Sequence, residues 1–137
     1  MITLAIDFGD KRIGLAKSDS LGFLATGLET LVRKNSSMEL AAKEIKEVVD
    51  KYQVQEIVLG YPKNMDGSLG ERARKTEEFA KVLAKYINTD IIFWDERLSS
   101  KAAERNMHER GIKTGHNKGK IDRIAACLIL QSYLDSK

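Results

Sequence analysis

Cysteine is almost missing from this chain of 137 residues: Cys127 stands alone, so no internal disulfide can staple the fold. A reducing compartment, or indifference to redox, is the expectation, with the cytoplasm as the default location. Proline also occurs once, at Pro62, and no repeat, Pro-rich linker or low-complexity tract divides the chain, which reads as a single domain over residues 1–137. No apolar run approaches the ~20 residues of a membrane helix. Met1 to Gly9 runs straight into strand-like sequence without a basic leader and a small-residue cleavage site. Aromatics are scarce, at 7%, and fall in core-like positions, so no base-stacking platform is expected. The two histidines, His108 and His116, lack the spacing and cysteine partners of a zinc site. Neither G-x-x-x-x-G-K-[ST] nor G-x-G-x-x-G is present.

Charge of one sign is in small surplus, +3 overall, too little for the whole chain to act as a polybasic nucleic-acid glue. Its distribution is uneven. From Arg97 to Arg123 eight basic residues face three acidic ones, a local +5, which leaves −2 for the remainder. The surplus therefore sits in one C-terminal stretch.

Three strand-like segments open the chain: Met1 to Asp7, Arg12 to Ser18 and Ala25 to Val32, joined by short turns in the manner of an antiparallel meander. Ser36-Ser37-Met38-Glu39 fits a capping box and introduces Leu40, Ala41, Ile45, Val48, Val49 and Tyr52 at helical spacing, predicting a helix over Ser37 to Tyr52. Glu56 to Tyr61 reads as a buried strand stopped by Pro62. A second S-x-x-E, Ser68 to Glu71, opens a helix that turns Ala73, Phe79, Ala80, Leu83 and Ala84 inward. Asp90 to Asp95 is another buried strand, followed by a helix from about Ser99 to Arg110, a glycine-spaced loop from Gly111 to Gly119, and a last helix to about Asp135. A meander followed by βαβ crossovers calls for an α/β fold with a mixed five-stranded sheet flanked by helices. The RNase H-like arrangement, strand order 3-2-1-4-5, satisfies it, and gathers the carboxyl ends of strands 1, 4 and 5 at one edge.

Acids stand at that edge: Asp7 ends the first strand, Asp95 and Glu96 end the fifth, and Asp122 falls in the first turn of the last helix. Each has an ordinary explanation. Asp7 can shape a turn before Gly9, Asp122 can favour a helix N-terminus, and Glu96 can pair with Arg97. Their convergence from distant positions favours a cation instead, because unpaired charge is costly to bury. Oxygen-only ligands suit Mg²⁺ or Mn²⁺, and two such ions about 4 Å apart can hold a phosphodiester for in-line attack by water.

Gly9 and Gly14 bracket Asp10-Lys11-Arg12, a hairpin able to bring backbone and cations to a phosphate. Sugar-kinase folds use similar hairpins but need two domains, and 137 residues supply one. The loop from Pro62 to Gly70 leaves the fourth strand at the same edge and can hold substrate backbone or be a plain surface loop. Gly111, Gly115 and Gly119, with Lys113, His116 and Lys118 between them, suit a mobile loop closing over a nucleic-acid backbone, or a flexible connector. Cys127, among Ala125, Ala126, Leu128 and Ile129, reads as a small buried hydrophobe.

Four segments, DFGDKRIGLAKSD (Asp7 to Asp19), VLGYPKNMDGSLG (Val58 to Gly70), WDERLSS (Trp94 to Ser100) and IDRIAACLILQSYLD (Ile121 to Asp135), together resemble the YqgF family, also called RuvX. These are pre-16S rRNA nucleases related to the RuvC Holliday-junction resolvases. The resemblance covers nearly the whole chain. It implies an RNase H-like fold, a cytoplasmic location, divalent-metal nuclease chemistry and a role at the 5′ end of 16S rRNA, with acidic positions at Asp7, Glu96 and Asp122. Ser99-Ser100 stands where the family often has two threonines. True resolvases carry an acid at the end of the strand after the first helix, where this chain reads Leu59-Gly60-Tyr61, so Glu96 must replace it from one strand further on.

The expected activity is metal-dependent cleavage of structured RNA. Asp7, Glu96 and Asp122 bind Mg²⁺ or Mn²⁺, and Lys11, Arg12, Arg97, Lys118 and Lys120 hold phosphates. Two other readings stand beside it: resolution of branched DNA, and a ribosome-assembly binding module without catalysis. The molecule is expected to be a monomer or a homodimer, with no membrane partner.

Overall fold

A computed structural model describes residues 1–98 and 118–137, with side chains in the second segment from residue 122 onward. Strands β1 (Thr3–Phe8), β2 (Arg12–Ser18), β3 (Ala25–Gly27) and β4 (Leu31–Val32) come first, then α1 (Met38–Tyr52), β5 (Glu56–Tyr61), α2 (Glu71–Leu83), β6 (Asp90–Asp95) and α3 (Lys118–Asp135). The sheet runs β3-β2-β1-β5-β6, with β4 also on β2. β1 pairs antiparallel with β2 and parallel with β5, which pairs parallel with β6. The expected order is therefore found, with one strand more than expected.

The extra strand comes from a break in the segment read as one strand over Ala25 to Val32. At Leu28 the carbonyl accepts from Arg123 Nε at 3.0 Å, and the chain leaves the ladder until Leu31. β6 also differs from expectation. It forms an edge of the described sheet rather than a buried strand, and Phe93 is 44% exposed.

Alternation along the strands decides what each face meets. Leu4, Ile6, Phe8, Ile13, Leu15, Ile57 and Leu59 point to one side, where they form the main core with Ala42, Ile45 and Val49 of α1 and Phe79 and Leu83 of α2. Phe8 stacks on Phe79 with ring centroids 4.2 Å apart. The opposite face is built of small residues, Ala5, Gly14, Ala16, Val58 and Gly60, and α3 lies on it through Ala126, Ile129, Leu130, Tyr133 and Leu134. Cys127 packs there too, half-buried rather than fully buried.

The helix starts depart from expectation for local reasons. Ser37, not Ser36, caps α1: its Oγ accepts from Leu40 N at 3.2 Å, while Ser36 sits at φ 53. Glu39 is drawn away to the Tyr86 hydroxyl. α2 begins at Glu71 with Gly70 as its cap, because Ser68 spends its hydroxyl on Asp66 Oδ1 at 2.6 Å within the preceding loop. α2 buries Thr76 beside Ala73, Phe79 and Leu83, and leaves Ala84 exposed. The predicted helix from Ser99 to Arg110 lies outside the described residues, as does the predicted glycine loop up to residue 117. Residues 118 and 119 already belong to α3.

Ser37→Ala should lower the unfolding free energy by about 1 kcal/mol through loss of the cap, whereas Ser36→Ala should cost much less. Urea unfolding midpoints of the two variants distinguish which serine caps α1.

Candidate active site

Parallel pairing of β1, β5 and β6 brings their carboxyl ends to one edge, and strand alternation decides which side chains turn toward α3. Asp7 follows Ala5 on the α3 face of β1 and is paired in register with Gly14 of β2. Glu96 is set one residue past β6, where its backbone N–H donates to the Tyr61 carbonyl at 3.1 Å. From there its carboxyl reaches across the end of β5. A β-carbon on Gly60 would lie 2.7 Å from Glu96 Oε1, so the bare glycine leaves the space that the carboxyl occupies.

Asp7 and Glu96 share a side-chain hydrogen bond. Such a bond between two carboxyls requires a proton on one of them. Burial pushes Glu96 up to about 8, and the neighbouring Asp7 charge adds to the effect. Desolvation likewise raises Asp7, with a smaller upward push from Asp122 and a counteracting pull from the hydrogen bond and from Arg72.

Asp122 reaches this edge because α3 sits close to β2. Its backbone oxygen lies 2.2 Å from where a β-carbon on Gly14 would be. Its carboxylate is held by Arg12, Nε to Oδ2 at 2.7 Å. Helix α3 starts at Lys118, so Asp122 lies beyond the first turn rather than in it, and a helix N-terminal charge does not account for it. Among the described residues no three acid, histidine or cysteine groups form a ready cation cage. The structure thus brings Asp7 and Glu96 into contact and sets Asp122 alongside, turned to Arg12.

A family model described as RuvX, Holliday junction resolvase, matches residues 1–136. The chain belongs to the RuvX family. A Halothermothrix orenii protein provisionally named pre-16S rRNA nuclease is 48% identical over 135 residues, spanning 98% of this chain and 95% of its own. An Acetivibrio thermocellus protein of the same name is 49% identical over 138 residues, spanning 100% and 97%. Among solved structures, T. thermophilus RuvC in complex with a Holliday junction substrate superposes with TM-score 0.63 at 13% identity, covering 99% of this chain and 96% of that one. The Fowlpox virus Holliday junction resolvase gives 0.59 at 18%, with both chains fully covered. At such identities the likeness establishes the RNase H-like fold alone.

In this RuvX-family chain the expected phosphate cations are placed unevenly. Arg12 is committed to Asp122. Arg97 forks onto Asp95, Nη2 to Oδ2 at 2.8 Å and Nε to Oδ2 at 3.0 Å, so the pair with Glu96 weighed from the sequence is not the one formed. That guanidinium holds the Asp95 carboxyl below the usual range. Lys11 is exposed on the β1–β2 turn. The side chains of Lys118 and Lys120 lie outside the described residues, as do Ser99, Ser100, His108 and His116.

The loop from Pro62 to Gly70 is folded back on itself. Lys63 bridges to Leu69, Gly67 N–H donates to the Asn64 carbonyl at 2.8 Å, and Gly67 adopts φ +88. It delivers a residue that sequence reasoning missed, Arg72 in the first turn of α2, whose charge pulls both Asp7 and Glu96 downward. The signal was weak because Arg72 stands in a charged helical run, Glu71-Arg72-Ala73-Arg74-Lys75, where solvated arginines are ordinary.

The raised acids set a pH dependence. An unfolded chain releases the Glu96 proton near the ordinary glutamate value of about 4.3, whereas the folded chain keeps it to about 8. The folded state therefore binds more protons across that interval, and stability falls as pH rises through it. In a chelator, urea midpoints should decline from about pH 5 to 8, and Glu96→Gln should flatten the decline. Added Mn²⁺ should raise the midpoint more at pH 8 than at pH 5.

Proposed function

We propose that this RuvX-family protein is a divalent-metal-dependent nuclease that hydrolyses phosphodiester bonds, with the 5′ end of precursor 16S rRNA as its substrate. The observation that carries the reading is the partly buried Asp7–Glu96 carboxyl pair, with Asp122 alongside, at the carboxyl edge of the sheet. Two carboxyls forced together in a desolvated place make a poor structural device, since one must stay protonated. They make a good receptor for a cation. Their donors are all oxygen, which fits Mg²⁺ or Mn²⁺ and not zinc or copper.

Asp7 and Glu96 would hold the ion, and Asp122, its Oδ2 kept by Arg12, would join them through its other carboxylate oxygen. When bound, a divalent cation neutralises the acids, polarises a phosphoryl oxygen and eases loss of a proton from water. The protein's part is positioning. Gly60 keeps room for Glu96, the Tyr61 carbonyl fixes its backbone, and the close seat of α3 fixes Asp122. In the hydrolysis a water oxygen bonds to phosphorus as the bond to the leaving nucleoside oxygen breaks, and that oxygen takes up a proton.

The pre-16S rRNA substrate is supported by the names of full-length relatives at 48% and 49% identity. A cytoplasmic site of action fits that substrate. The family description and the junction-bound RuvC favour branched DNA as the second reading.

With Mg²⁺ or Mn²⁺, the wild-type protein should shorten a 5′-extended 16S precursor, and chelator should stop it. Asp7→Asn and Asp122→Asn should each slow cleavage by about 10²-fold or more while leaving the fold intact. Wild-type rates from either variant would sink the proposal. A four-way DNA junction cut faster than the precursor would select the second reading.

A further inference from the structure

The guanidinium groups around the acidic edge are mostly engaged. Arg12 is bound to Asp122 and Arg97 to Asp95. Arg33 donates to the carbonyls of Gly9, Asp10 and Ser36 and lies over the Phe8 ring, and Arg123 donates to the Leu28 carbonyl. Each of these holds the fold together and is a poor candidate to leave for a phosphate.

Arg72 differs in three respects. It is solvent-exposed, and no hydrogen bond or ion pair engages its side chain among the described residues. It stands in the first turn of α2, which starts directly after the loop leaving β5 at the catalytic edge. Its charge also reaches both members of the carboxyl pair. The helix start adds to the effect, because Gly70 provides no side chain to cap the N–H groups of the first turn. A guanidinium and a first turn without a side-chain cap therefore stand at the same edge of the sheet as Asp7 and Glu96.

We propose that Arg72 is the side chain that contacts a non-bridging oxygen of the phosphodiester being cut, beside the phosphate-holding role expected from the sequence for Lys11, Arg12, Arg97, Lys118 and Lys120. This rests on the nuclease reading above. Negative charge grows on those oxygens as water adds to phosphorus, and a guanidinium placed beside them in a partly desolvated site lowers the barrier. Arg12 and Arg97 act as counter-ions that hold Asp122 and Asp95 in place. Arg74, two residues on, points away from the Arg72 side of the helix and serves as the control.

The test compares wild type, Arg72→Ala, Arg72→Lys and Arg74→Ala on the precursor RNA with Mn²⁺. Arg72→Ala should lower kcat by about 10²-fold, and lysine should restore part of that as a point charge without the fork. Arg74→Ala should cleave as wild type does. Calorimetric titration of Mn²⁺ should give Arg72→Ala an affinity equal to or tighter than wild type, since a repelling charge has gone, and the melting temperatures should agree. The slope of log binding constant against log salt should fall by about 1 in Arg72→Ala.

Cleavage by Arg72→Ala within about twofold of wild type would overturn the proposal and leave the nuclease reading standing. So would a loss explained wholly by weaker Mn²⁺ binding. Wild-type protein that cuts no nucleic acid with either ion would overturn the nuclease reading itself, and this assignment with it.

Discussion

The closeness of α3 to the sheet is the constraint on which the rest depends. Three glycines make it possible. A β-carbon at Gly14 would lie 2.2 Å from the Asp122 oxygen, one at Gly27 2.2 Å from Arg123 Cγ, and one at Gly60 2.9 Å from Ile129 Cδ1. Ala5 and Ala16 continue the same thin surface. The other face is thick with leucine, isoleucine and phenylalanine, and supplies most of the apolar burial that stabilises the domain. The sheet thus has one face for stability and one for approach. Thin packing on the second face brings a helix from residue 118 onward to the end of the first strand.

That approach explains the burial of charge. Once α3 covers the end of β1, Asp7 loses solvent, and Glu96 arrives from β6 over Gly60 into the same space. Two desolvated carboxyls in contact cannot both ionise, so a proton or a cation must lie with them. Asp122 is spared that conflict by Arg12. The three acids are therefore not equivalent. Two share one desolvated place where added positive charge is favourable, and the third has a resident counter-ion.

Much of this was legible in the residues. Alternation in Thr3 to Phe8, the apolar run of Glu56 to Tyr61 and the helical spacing after Ser37 each express a period that the backbone imposes, and β2 and β5 end where the pattern ends. The acids were legible for the same reason, since parallel strands must deliver their ends to one edge. What escaped was decided by competition for single groups. The Leu28 carbonyl goes to Arg123, the Ser68 hydroxyl to Asp66, and the Tyr86 hydroxyl to Glu39. Each is an interaction between residues whose nearness only the fold creates, or between two equally plausible local partners. The edge position of β6 escaped likewise, because Ile91, Ile92, Phe93 and Trp94 read alike in a central or a half-covered strand.

The same competition changes how charge in this chain should be counted. A local +5 from Arg97 to Arg123 suggests a surface ready for phosphate, yet Arg97 and Arg123 are already committed to Asp95 and Leu28. At the edge itself four acids, Asp7, Asp95, Glu96 and Asp122, face three guanidiniums, Arg12, Arg72 and Arg97, and with one proton kept between Asp7 and Glu96 the sum is formally zero. A neutral edge exerts no net pull on a phosphodiester. A divalent cation displacing that proton would bring the edge to +1, with Arg72 the uncommitted guanidinium on the approach among the described residues. Attraction for a nucleic-acid backbone at this edge would in that sense be conditional on a bound cation, which the desolvated Asp7–Glu96 pair would couple to the charge of the approach.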